Sequence, residues 1–177
     1  MGGVDKGLQT FRGRALIEWV IERLQPQVAE ILVNANQNHQ TYRAFGYTVI
    51  SDLVPDYAGP LAGLHSALGS ASHDLVLTVP CDSPFLPENL VERMHAALNE
   101  NAADVAVART GEREHPVFCL ARRALLPHLD RFLQQGGRKI DAWYADLNTV
   151  PVAFDDQPEA FANFNTLADL DAAQEDN

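Results

Sequence analysis

The stretch LVLTVPCDSPF, residues 75–85, joins an apolar run to an acidic turn. Its first part, LVLTVP (75–80), has the residue types of a buried strand. Asp82 follows this run, so we expect its carboxylate at the carboxyl end of the strand, where a group removed from water needs a partner. A hard cation shared with phosphates is one such partner. Capping of the helix that follows Pro87 is the alternative.

Five other short runs with strand character alternate with segments of helical periodicity. The runs are EILVNA (30–35), YTVI (47–50), DVAVAR (104–109), VFCL (117–120) and VPVAF (150–154). Helical spacing precedes Pro26, follows Pro87 and precedes Gly136. The alternation predicts an α/β fold with a mostly parallel sheet and helices on both faces. We expect one domain over residues 1–177, because no linker or repeat divides the chain.

The opening segment MGGVDKG (1–7) has the residue types of a phosphate-binding loop. Its glycines let backbone N–H groups approach phosphate oxygens, and Lys6 supplies a mobile positive charge. The segment is not a Walker A sequence. A frayed, glycine-rich terminus explains the same residues equally well.

Asn34 and Asp52 end two other predicted strands. In a parallel sheet the carboxyl ends of the strands meet at the edge where ligands bind. An amide and a carboxylate there can read the hydrogen-bonding edge of a purine, although either residue could instead form a turn. GPLAG (59–63) is expected to open a helix whose free N–H groups suit an anion or a base edge, and is otherwise an ordinary helix start.

Composition excludes several classes of function. A formal net charge of −11 opposes binding to nucleic acid or to anionic lipid. No apolar run approaches the roughly 20 residues that span a bilayer, and no signal peptide is evident, so we expect a cytoplasmic protein. Cys81 and Cys119 are too far apart for a redox or zinc pair and are expected to be small buried groups. His115 is expected to lie in a loop.

Seven segments, in order, resemble the molybdenum cofactor guanylyltransferases. They are MGGVDKG, VNAN, the ISD of 50–52, GPLAG, PCDSPF, GEREHP and FANFNT. The resemblance extends over nearly the whole chain. It implies a Rossmann-like nucleotidyltransferase fold, Mg²⁺ in the site, and transfer of GMP from GTP to the terminal phosphate of molybdopterin with release of pyrophosphate. It also implies handover partners in molybdoenzyme maturation.

The resemblance assigns roles to residues at strand ends and in the terminal motifs. The implied nucleotide-binding residues are Gly3, Lys6, Asn34, Asp52 and Asp82. Lys6 and Asp82 are also the implied catalytic residues, with Lys6 on the triphosphate and Asp82 on the metal. Asn34 and Asp52 are implied to hold the nucleoside. Asn163 and Asn165 are implied to lie on the substrate side, toward the reacting phosphates.

The start of the sequence departs from the family pattern. The family normally begins with an apolar strand that leads into L-A-G-G-x-x-x-R-M-G-G, and this sequence starts at the Met of that phrase. We therefore expect the first central strand to be missing from this chain and the natural protein to extend upstream. Two alternatives follow: a nucleotidyltransferase that uses CTP or a sugar phosphate, and a noncatalytic nucleotide-binding domain. Asp52 favours guanine, because its carboxylate can accept from two N–H groups of that base.

Overall fold

A computed structural model describes residues 5–53 and 59–161 of the chain. The strands are β1 (Thr10–Phe11), β2 (Arg14–Ala15), β3 (Leu32–Asn34), β4 (Thr48–Ile50), β5 (Leu75–Thr78), β6 (Val105–Thr110), β7 (Arg113–Arg122) and β8 (Thr149–Ala153). The helices are α1 (Leu16–Leu24), α2 (His39–Arg43), α3 (Pro60–Ser70), α4 (Leu90–Glu100), α5 (Leu126–Gln134) and α6 (Ile140–Tyr144). No helix in these two ranges is long and apolar enough to cross a membrane.

Helix α1 shows how the apolar spacing becomes a packed element. The side chain of Glu18 accepts a hydrogen bond of 2.8 Å from the Ala15 N–H and so caps the start of the helix. The buried face then repeats at helical spacing through Ile17, Val20, Ile21 and Leu24. The helix ends before Pro26, as the sequence predicts.

The largest sheet has four strands in the order β5-β7-β6-β8. Strand β7 runs antiparallel to β5 and β6, whereas β6 and β8 are parallel, so β5, β6 and β8 share one direction. A two-residue turn causes the reversal: Gly111 has a φ of +56°, and Thr110 pairs with Arg113. The expectation of a loop at His115 was wrong, because this residue is buried on β7.

Helices cover both faces of this sheet, as the sequence predicts. Val105 and Val107 of β6 pack into one apolar cluster together with residues of α3, α5 and α6. Ala106 and Ala108 point to the other face, into a cluster with residues of α1 and α4. This alternation follows from the two-residue period of a strand.

Strands β3 and β4 form a separate parallel pair, with Leu32 opposite Thr48. In the described part of the chain, β3 and β5 are each at the edge of their sheet. An apolar cavity of about 530 Å³ is lined by residues of both strands and by the buried faces of α1 and α3. Residues of both strands therefore line one common cavity.

Candidate active site

One end of the candidate site contains an ion pair between a buried carboxylate and a half-exposed lysine. Asp82 follows β5 and is 6% exposed, whereas Lys6 lies on a single 3₁₀ turn, Lys6–Leu8. Their Nζ and Oδ2 atoms are 3.2 Å apart, and the Lys6 side chain is 47% exposed. The fold thus brings together two residues that are 76 positions apart in sequence. The buried carboxylate has the positively charged partner that its burial requires.

A second set of contacts holds the turn that carries Lys6. Asp5 accepts hydrogen bonds from the Tyr42 hydroxyl and, at 3.0 Å, from the Asn38 amide. Burial and the bond to Asp5 raise the pKa of the Tyr42 hydroxyl, which therefore stays protonated and donates. These contacts tie the opening segment to α2, and sequence reasoning missed them. Only the position of Asp5 next to Lys6 could have signalled them.

Gly7 is needed for this close approach. A Cβ atom at this position would lie 2.7 Å from the Tyr42 hydroxyl oxygen and 3.2 Å from the Cys81 side chain. The opening segment therefore packs directly between α2 and the residue before Asp82. Burial, followed by the charge of Asp82, raises the pKa of the Cys81 thiol to about 11. Cys81 is thus a neutral thiol near pH 7, which makes it a poor nucleophile.

The other side of the candidate site is a network of amides around Asp52. The Asn34 amide donates to one carboxylate oxygen of Asp52 at 2.8 Å, and the Asn36 amide donates to the other at 2.7 Å. The parallel pairing of β3 with β4 brings these residues together, because both strands end on the same side. The structure thus joins Asn34 and Asp52, as predicted. Asn36 is a member of the network that sequence reasoning missed.

Helix α3 packs closely against this network. A Cβ atom on Gly63 would lie 3.0 Å from the Asn34 amide nitrogen. The GPLAG segment opens a helix, as the sequence predicts, because α3 begins at Pro60. Its second glycine, Gly63, permits the close approach to Asn34. Asn34, Asp52 and Cys81 all line the cavity between β3 and β5. The network and the residue next to Asp82 thus border one space.

Three residues of the implied site cannot be located. Gly3, Asn163 and Asn165 lie outside the described residues. Their implied roles remain predictions.

Comparison with known proteins identifies the family. Residues 1–150 match the MobA-like NTP transferase domain. The chain belongs to this family. A relative from Shewanella sp. (strain MR-4), named molybdenum cofactor guanylyltransferase, is 51% identical over 166 residues, which cover 94% of this chain and 84% of the relative. A relative of the same name from Ralstonia nicotianae is 49% identical and is covered over 87% of its length, against 96% of this chain.

These matches confirm the family predicted from the seven segments and show that the chain is a nucleotidyltransferase. They place it in molybdenum cofactor biosynthesis. The structure is similar to molybdopterin-guanine dinucleotide biosynthesis protein A from Archaeoglobus fulgidus, with a TM-score of 0.79 and 25% identity over 98% of this chain and 90% of that one. The predicted Rossmann-like α/β class is confirmed.

The same fold occurs in a cytidylyltransferase. The 2-C-methyl-D-erythritol 4-phosphate cytidylyltransferase from Thermus thermophilus has a TM-score of 0.72 and 19% identity, over 96% of this chain and 92% of that one. This likeness shows the fold alone. The fold of the MobA-like family therefore does not decide which nucleotide binds.

A divalent metal is typical of MobA-like nucleotidyltransferases, and the residues present suit one. Asp82 offers carboxylate oxygens at a buried position. Within residues 5–53 and 59–161 no group of three or more His, Cys, Asp or Glu could hold a metal. A hard cation such as Mg²⁺ does not need three protein ligands, since it commonly takes one or two protein carboxylates and completes its shell with water and substrate phosphates.

Proposed function

We propose that this chain transfers GMP from GTP to the terminal phosphate of molybdopterin, giving the guanine dinucleotide cofactor and pyrophosphate. The observation that carries the proposal is the buried Asp82 with Lys6 at 3.2 Å. Asn34 and Asp52 line a cavity that Cys81, the residue before Asp82, also lines, and two relatives that are 51% and 49% identical bear the name molybdenum cofactor guanylyltransferase. Together these support a triphosphate donor bound across the carboxyl ends of β3, β4 and β5.

The reaction is an in-line displacement at the α-phosphorus of GTP. An oxygen of the acceptor phosphate forms the new bond to phosphorus while the bond to the bridging oxygen breaks, and pyrophosphate leaves. The acceptor is already ionised near neutral pH, so positioning contributes more than a general base. A covalent intermediate on Cys81 is not part of the mechanism, because its thiol stays protonated.

Asp82 and Lys6 have different electrostatic roles in the proposed reaction. Asp82 would hold Mg²⁺, which when bound offsets negative charge on the phosphate oxygens. Lys6 is half exposed and is bonded to Asp82 in the structure, so it can exchange that bond for an oxygen of the triphosphate. A positive charge placed at the leaving oxygens stabilises the transition state more than the bound substrate.

Isothermal titration calorimetry tests the proposal with GTP, CTP and ATP, each with and without Mg²⁺. The variants are Asp82→Asn and, as a matched control, Asp74→Asn. Asp74 is exposed and precedes the amino end of the same strand β5. Supplying molybdopterin and measuring pyrophosphate release then follows transfer directly.

We expect selective binding of GTP that Asp82→Asn weakens by about tenfold or more in Mg²⁺ and does not weaken in EDTA. The control should match the parent chain in both conditions. Equal binding of the three nucleotides would contradict guanylyl transfer and favour another nucleotidyltransferase. Binding of GTP without pyrophosphate release would favour a noncatalytic nucleotide-binding domain.

A further inference from the structure

Asn36 and Asp52 bond to each other in two ways. The amide nitrogen of Asn36 donates to the Asp52 carboxylate at 2.7 Å, and its amide oxygen accepts from the Asp52 backbone N–H at 2.9 Å. The next residue is also held, because the Leu53 N–H donates to the buried Ser66 hydroxyl at 3.0 Å. The backbone at Asp52 is therefore anchored on both sides. The remaining freedom of the carboxylate is rotation of its own side chain.

The two amides restrict that rotation. Asn34 occupies one position on the first oxygen and Asn36 one position on the second. A carboxylate has about four acceptor positions, so two remain for a ligand. Asn34 and Asp52 line the cavity, whereas Asn36 is not among its lining residues and contacts the Asp52 oxygen that Asn34 does not.

We infer that Asn36 sets the selectivity for guanine by fixing the orientation of the Asp52 carboxylate. This inference rests on the proposed function. Guanine presents its ring N–H and its 2-amino group side by side, and two acceptors in one plane match them. Adenine and cytosine carry a ring acceptor at the corresponding edge, which a fixed carboxylate repels. Asn36 acts through Asp52 and is a positioning residue.

The test compares GTP with inosine triphosphate, which has the ring N–H but lacks the 2-amino group. Calorimetric titrations in Mg²⁺ use the parent chain, Asn36→Ala, and Asn36→Asp. Asn36→Asp keeps the shape and the acceptor but removes the donor and places a second negative charge beside Asp52. Gln37→Ala, an exposed neighbour in the same loop, is the control. Thermal unfolding of each variant verifies that the fold is kept.

Asn36→Ala is expected to weaken GTP binding by about tenfold and inosine triphosphate binding by about threefold or less, so that the preference for GTP shrinks. Asn36→Asp should lose at least as much, and Gln37→Ala should keep the parent values. If the parent chain prefers GTP to inosine triphosphate and both Asn36 variants keep the parent ratio of the two affinities, the inference is wrong and the proposed function stands. If the parent chain does not prefer GTP over CTP and ATP, both fail.

Discussion

Two glycines of helix α3 allow the role of Asn34 to be tested with one kind of substitution. Replacing a helical glycine by alanine adds roughly 0.5–1 kcal/mol of stability, because the unfolded chain loses freedom. At Gly69 the nearest atoms to the new Cβ would be 4.0 Å away, which is ordinary contact. At Gly63 the new Cβ would be 3.0 Å from the Asn34 amide nitrogen. The two substitutions therefore differ mainly in what they do to Asn34.

The short distance between the new Cβ of Gly63→Ala and the Asn34 amide sets the size of the change in stability. Heavy atoms in good contact are about 3.5 Å apart, so the Asn34 amide must move by about 0.5 Å in Gly63→Ala. A shift of that size stretches or misaligns its 2.8 Å bond to Asp52. Losing this bond costs about 0.5–1.5 kcal/mol, which cancels the helical gain. We expect no net change in the free energy of unfolding for Gly63→Ala and an increase of about 0.5 kcal/mol for Gly69→Ala.

Urea unfolding measures the free energy of unfolding of each variant, and titration with GTP measures its affinity. Gly63→Ala should weaken GTP binding several-fold although its fold is as stable as that of the parent chain, and Gly69→Ala should bind GTP normally. Equal stabilisation of both variants, with unchanged GTP affinity in each, would refute the reasoning. It would mean that the Asn34 amide moves freely and does not contribute to the nucleoside site.

Three further predictions concern the stability of the fold. Burial lowers the pKa of His115, so stability should fall as the pH drops below about 6.5, and His115→Gln should flatten this slope in urea unfolding at pH 7.5 and 5. Gly7→Ala should cost about 1–3 kcal/mol in the same assay, with part recovered when Tyr42→Phe removes the hydroxyl that the new Cβ meets. An apolar, β-forming extension before Met1 should raise the melting temperature by pairing the edges that β3 and β5 present in the described part of the chain, whereas a Gly/Ser extension of equal length should not.

The ends of the strands were the part of the site that sequence could predict. An apolar run followed by a polar residue fixes where a strand stops, and parallel strands stop on one side of the sheet. This reasoning alone brings Asn34 to Asp52 and gives Asp82 its buried position, and the structure has all three there. The sequence around Lys6 suited a phosphate loop and a frayed terminus equally well. The 3.2 Å contact of Lys6 with Asp82 then follows from how the opening segment packs.

Contacts between distant segments could not be predicted. Tyr42 bonds to Asp5 across 37 residues, and neither sequence position has a pattern that indicates the other. The GEREHP segment contains polar and charged residues that are typical of a loop, yet most of it belongs to β7. Its strand form comes from pairing with β6, where Glu114 lies opposite Arg109. Tertiary pairing here outweighs local propensity.

The Lys6–Asp82 pair and the network around Asp52 differ in what they could contribute to the choice of nucleotide. In the proposed reaction, Lys6 and Asp82 would serve any triphosphate, because they would contact the phosphates and the metal and not the base. The similarity to a cytidylyltransferase, with a TM-score of 0.72, shows that the fold itself does not decide which nucleotide binds. Under the proposed function, selection of guanine must then come from groups at the base edge. In the described residues, Asp52 with its two amides is the arrangement that we propose for that task, because a fixed carboxylate would accept from guanine and repel the ring acceptors of adenine and cytosine.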